Sequence, residues 1–127
     1  MGIAFNVGKR DMKYGEYASW SYGGFNRFRV RLAESIGFVL DNLEGFNQTG
    51  KNIVKWDTMK DGIKPLLNHS DCDGELTPKE CAKVAQRLRE IVSAWTSVED
   101  EYDKRNGLLL ADMMDECVAK KVPLIFC

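Results

Sequence analysis

The chain reads as a mainly α-helical domain with a minor β element, and three observations predict it. Cys81, Val84, Ala85, Leu88, Ile91, Val92 and Trp95 repeat at helical spacing and form one apolar stripe. From about Val98 to Lys120 a second periodic stretch starts with Glu99, Asp100, Glu101 and Asp103 and ends with Lys120 and Lys121, the polarity a helix dipole favours. Ile3-Ala4-Phe5-Asn6-Val7 alternates with period two, and the chain closes on the apolar run Leu124-Ile125-Phe126-Cys127. These two terminal runs are expected to pair as a short two-stranded element on a helical body.

With 127 residues the chain fits a single domain, 1–127, with enough length for one core. A formal net charge of −1 gives no general attraction to nucleic acid or to an anionic membrane. The charge is uneven. Ten basic and seven acidic residues lie up to Lys64, and eight basic and twelve acidic follow from Pro65. This reads as two solvated faces. No apolar run approaches a membrane span, and the N-terminus lacks a signal peptide's apolar core. Cys72, Cys81, Cys117 and Cys127 contain no C-x-x-C pair. A cytoplasmic protein with reduced thiols is therefore expected.

Taken in order, Ile3, Phe5 and Val7 share one strand face, and Lys9 to Tyr17 is a polar loop. Ser21 is the expected N-cap of a helix carrying Phe25, Phe28, Leu32 and Ile36 on one face, with Gly37 at its C-terminal cap and Glu34 placed to pair with Arg31. The free N–H groups at Gly23 and Gly24, together with Arg27, make a candidate site for a phosphate or carboxylate. The plainer reading is a core helix with a solvated arginine flank. Leu40 to Phe46 reads as one or two helical turns stopped by Gly45, and Asn47 to Asn52 as a loop tolerant of insertion. Trp56 to Met59 starts another turn, and Pro65 disfavours helical geometry at Lys64. Thr77, Pro78 and Glu80 mark the start of the next helix as N-cap, first position and capping box. In the last helix Tyr102, Leu109, Met113 and Cys117 give the expected buried face, with Leu110 and Met114 beside it. Gly107 suits a close helix crossing.

The stretch from His69 to Glu80 carries the most specific chemistry. Placing Gly74 at the sixth position of a calcium-binding EF-hand loop puts Asp71 third, Asp73 fifth and the Glu75 carbonyl seventh. Leu76 falls eighth, Thr77 ninth and Glu80 twelfth. Asp71, Asp73, Glu75 and Glu80 are thus candidate metal ligands and calcium the candidate cofactor. The first position departs from the pattern, because a neutral imidazole at His69 is a poor ligand for a hard cation. The same residues also make sense without metal, as a turn followed by a helix cap. A third reading takes His69 as a general base oriented by Asp71 or Asp73. No nucleophile elbow or phosphate loop accompanies it, so no catalytic residue is assigned.

Three stretches taken together, Trp20 to Arg29, Leu66 to Pro78 and Pro123 to Cys127, resemble a family of small uncharacterised proteins from bacteriophages and actinobacteria. The segments Lys9–Tyr17 and Asn47–Lys55 fall outside the resemblance. It implies that His69, Asp71, Asp73 and Cys127 belong to one recurrent constellation, and that the role is that of a phage accessory protein. The expected function is then non-enzymatic binding of a protein partner, a host defence factor among the candidates. The alternatives are a nucleotide or anion binder or metal-dependent enzyme using His69, Asp71 and Asp73, and a calcium-binding structural module.

Overall fold

The computed structural model describes residues 2–8, 18–46, 53–69 and 74–126. Its elements run β1 (Gly2–Val7), β2 (Ser19–Ser21), α1 (Tyr22–Ser35), α2 (Lys64–Leu67), β3 (Glu75–Leu76), α3 (Pro78–Ser93), α4 (Glu101–Lys120) and β4 (Leu124–Phe126), with single 3-10 turns at Leu40–Asn42, Trp56–Thr58 and Val98–Asp100. The mainly α fold with a minor sheet agrees with the sequence reading. The loops expected at Lys9–Tyr17 and Asn47–Asn52 fall outside the described residues.

The sheet is larger than expected. It has four strands in the order β2-β1-β4-β3, all antiparallel. The terminal pairing does form, with Phe5 opposite Phe126, Asn6 opposite Ile125 and Val7 opposite Leu124. The first half of β1 pairs β2, and β4 also takes β3, with Leu76 opposite Leu124. Strands of two and three residues carry no readable period, which is why β2 and β3 are silent in the sequence.

Period two along β1 sends Ile3 and Phe5 inward, where both are buried. They meet α1 in an aromatic cluster. Trp20 stacks on Phe28 at 4.7 Å between ring centroids, Phe5 meets Phe126 edge-on at 5.0 Å, and Trp95 meets Phe28 edge-on at 5.8 Å. The Trp20 indole N–H is satisfied by Asp103 at 2.9 Å, which ties β2 to α4.

The helix ends follow their local chemistry. Ser21 Oγ accepts from the Gly24 N–H at 3.0 Å. At the other end of α1, Gly37 has φ +85°, and the Gly37 and Phe38 N–H groups return to the Glu34 and Ala33 carbonyls, a Schellman motif. Thr77 and Glu80 form the capping box of α3, with Thr77 N–H to Glu80 Oε1 at 3.0 Å and Glu80 N–H to Thr77 Oγ1 at 3.2 Å. Pro65 corrects one expectation, because Lys64 is helical and opens α2. Within a first turn the missing proline N–H has no intrahelical partner to lose, so the helix tolerates it.

α3 and α4 pack antiparallel as the largest helix pair. A Cβ on Gly107 would stand 3.2 Å from Val92 Cγ1 and 3.2 Å from Phe28 Cζ, so the close crossing read from the sequence is present. Arg89 bridges the pair further along, reaching Asp112 and Asp115 at 2.7 Å each. The buried face of α4 differs from the expected one. Gly107, Leu110, Ala111, Met113, Met114 and Cys117 are buried, whereas Tyr102 is exposed and Leu109 only half-buried.

Candidate functional site

Two regions gather chemistry, the loop entering α3 and the outer face of α4. The loop is built around Arg29. That side chain sits four residues after Phe25 and three before Leu32, on the apolar stripe of α1, and it is 2% exposed. Its guanidinium lies 4.9 Å from the centroid of the Phe25 ring and 5.4 Å from that of Phe46. Nη1 donates to the carbonyl of His69 and, at 3.5 Å, to that of Leu67. A charge this deep costs free energy unless hydrogen bonds replace its water. The exit of α2 supplies them, so Arg29 fixes where the chain enters the loop.

His69 closes the loop from its own side. The ring stacks on Phe126 with centroids 3.9 Å apart and an interplanar angle of 25°. Its Nε2 lies 3.1 Å from the Glu75 carbonyl oxygen, to which it donates when protonated. Gly74, at φ +98°, is required by both backbone and space. A Cβ there would stand 3.0 Å from His69 Cε1. The Gly74 carbonyl accepts from the Phe126 N–H at 2.9 Å, joining loop and sheet.

Of the candidate metal ligands, Asp71 and Asp73 lie outside the described residues. Glu80 and Thr77 hydrogen-bond each other in the capping box. The Glu75 carbonyl faces the His69 ring, and its carboxylate is on an exposed residue. Among the described residues no three His, Cys, Asp or Glu side chains are grouped to hold a metal ion. The described half of the loop ends in a capped turn. The guanidinium on the His69 carbonyl adds a positive charge at the loop's first position, where a cation would be repelled. The general-base reading of His69 meets a similar obstacle, because one ring nitrogen is directed at a backbone carbonyl and one ring face is covered by Phe126.

The anion-site residues are brought together. Arg27 is exposed, and its Nη1 and Nη2 lie 3.9 Å from where Cβ atoms would stand on Gly23 and Gly24. Glycine leaves room there for a guanidinium to fold back over the first turn. Of the N–H groups in that turn, the one on Gly24 is taken by Ser21.

The second region was not singled out by the sequence. An open groove of about 1020 Å3 runs along α4 from the α3–α4 turn, lined by the apolar Trp95, Tyr102, Leu108 and Leu109 together with polar residues that include Glu101, Lys104 and Arg105. Tyr102 in its lining is 53% exposed, and Val98 in the preceding 3-10 turn is 81% exposed. The signal was present but ambiguous. Tyr102, Leu109, Met113 and Cys117 form one helical line and Gly107, Leu110, Met114 and Cys117 another, and only the second is wholly inside.

No described helix is long and apolar enough to cross a membrane. Compared with family models, with curated proteins and with solved structures, the chain matches none.

Proposed function

We propose that this protein works without catalysis, by binding a protein partner, as a phage accessory factor directed at a host component such as a defence protein. What supports the reading is the α4 groove, where Trp95, Tyr102, Leu108 and Leu109 stand among polar side chains such as Lys104, Arg105 and Asp112, and Tyr102 is exposed. Apolar cores with aromatic anchors and polar rims are what protein interfaces use. In this reading His69 and the residues from Gly74 to Glu80 serve as structure, tying α2, β3 and β4 together.

Capture from host lysate with Tyr102→Ala/Leu108→Glu and with Asp71→Ala/Asp73→Ala tests this. A stoichiometric partner lost with the first variant and kept with the second is expected. Loss with the second alone would move the site to the loop.

Calcium binding or small-ligand chemistry at His69, Asp71 and Asp73 is the second reading. Its support is the loop frame itself, with a positive φ at Gly74 and a buried Leu76 at the sixth and eighth positions. A calcium titration followed by calorimetry decides it.

A further inference from the structure

Cys81 and Cys117 are the free cysteines among the described residues, and both are fully buried. They face each other across the α3–α4 interface. The Gly107–Val92 contact sets the register of this antiparallel pair. Counting eleven residues back from Val92 reaches Cys81, and ten forward from Gly107 reaches Cys117. Their levels along the pair thus differ by one residue, about 1.5 Å of rise. The two thiols are near enough for each to shift the titration of the other. Cys81 Sγ also lies 3.8 Å from the Leu76 carbonyl oxygen and contacts the Leu124 backbone, so the pair sits under the β3–β4 ladder.

Two features leave the pair open to oxidation despite its burial. Cys81 lies in the first turns of α3 and Cys117 in the last turn of α4. Helix ends open at lower free energy than helix centres, which admits a small neutral oxidant. The neighbouring Cys81 thiol lowers the pKa of Cys117, and Cys117 together with burial raises that of Cys81. One thiolate is thus favoured and the second proton is retained.

We propose that Cys81 and Cys117 form a dithiol that a peroxide converts to an intramolecular disulfide, clamping the start of α3 to the end of α4. The Cys117 sulfur attacks one oxygen of hydrogen peroxide, the O–O bond breaks, and the departing hydroxide leaves as water with the thiol proton. The Cys81 sulfur then attacks the sulfenic sulfur. The S–O bond breaks, the S–S bond forms, and the second hydroxide takes the Cys81 proton. Two thiols are oxidised and one peroxide is reduced to two waters.

The test treats the native Cys72→Ser/Cys127→Ser chain with hydrogen peroxide, then alkylates it in denaturant and measures its intact mass. The expected product has lost about 2 Da, takes up no alkylating agent, and returns to two reactive thiols after dithiothreitol. Closing this loop should raise Tm by roughly 5–10 °C. Peptide mapping of the peroxide-treated unaltered chain should find Cys81 joined to Cys117, which keeps the test independent of the serine variant's folding. Two thiols still open to alkylation, oxygen adducts without a bridge, or a bridge from either residue to Cys72 or Cys127 would overturn the proposal.

Discussion

The buried Arg29 guanidinium donates to the carbonyl of His69, forty residues further along the chain. This contact joins α1 to the loop that leads into α3, and it makes a charged side chain part of the core. Truncation should expose the weakness of such an arrangement. Arg29→Met keeps much of the apolar stem but leaves the Leu67 and His69 carbonyls without this donor. The expected loss is about 3 kcal/mol, read as a lower urea midpoint at unchanged m. A loss below about 1 kcal/mol would mean that water or a neighbouring group replaces the guanidinium.

Gly74 should resist substitution for two separable reasons. Its φ of +98° strains any L residue, and an added Cβ would meet the His69 ring at 3.0 Å. Gly74→Ala is expected to cost about 2 kcal/mol. In a double-mutant cycle, His69→Ala should return the steric share, about 0.5–1 kcal/mol, and leave the backbone share untouched. Strict additivity would show that the ring does not press on this position.

Calcium should leave the protein unchanged. Glu80 and Thr77 are engaged in the capping box, the Glu75 carbonyl faces His69, and Arg29 places a positive charge at the loop entrance. Calcium at millimolar concentration is expected to give no binding heat and no rise in Tm. A saturable rise in Tm would return the loop to the EF-hand class, because a ligand that binds only the folded state must stabilise it.

What the sequence made legible follows the range of the interactions concerned. The α3 start was readable because Thr77, Pro78 and Glu80 act within one turn, and β1 because alternation at Ile3, Phe5 and Val7 is local. The partners of β4 were half readable. Two apolar termini imply pairing, but Glu75–Leu76 is too short to announce that it is a strand. Arg29 gives no such signal because a charge reads as solvated, although its place between Phe25 and Leu32 puts it on the buried stripe. Tyr102 and Leu109 failed differently. Two adjacent apolar lines on α4 compete, and only packing against Val92 and Phe28, through Gly107, selects between them.

The end of α4 offers a stabilising change. The Val122 N–H returns to the Cys117 carbonyl at 3.0 Å and the Lys121 N–H to that of Val118 at 3.3 Å, a Schellman closure. It needs a left-handed residue, and Lys121 takes that place at φ 57° and ψ 42°. An L side chain pays about 1–2 kcal/mol there. Glycine removes this strain, at the cost of a more flexible unfolded chain and a lysine near the helix C-terminus. Lys121→Gly is therefore expected to gain only about 0.5–1 kcal/mol, and Lys121→Asn less. Lys121→Val should lose stability, since a β-branched side chain tolerates this region worst. Urea midpoints falling in the order Gly, Asn, Lys, Val are expected, and a glycine variant below the parent would show that the lysine side chain contributes more at this terminus than its backbone strain costs.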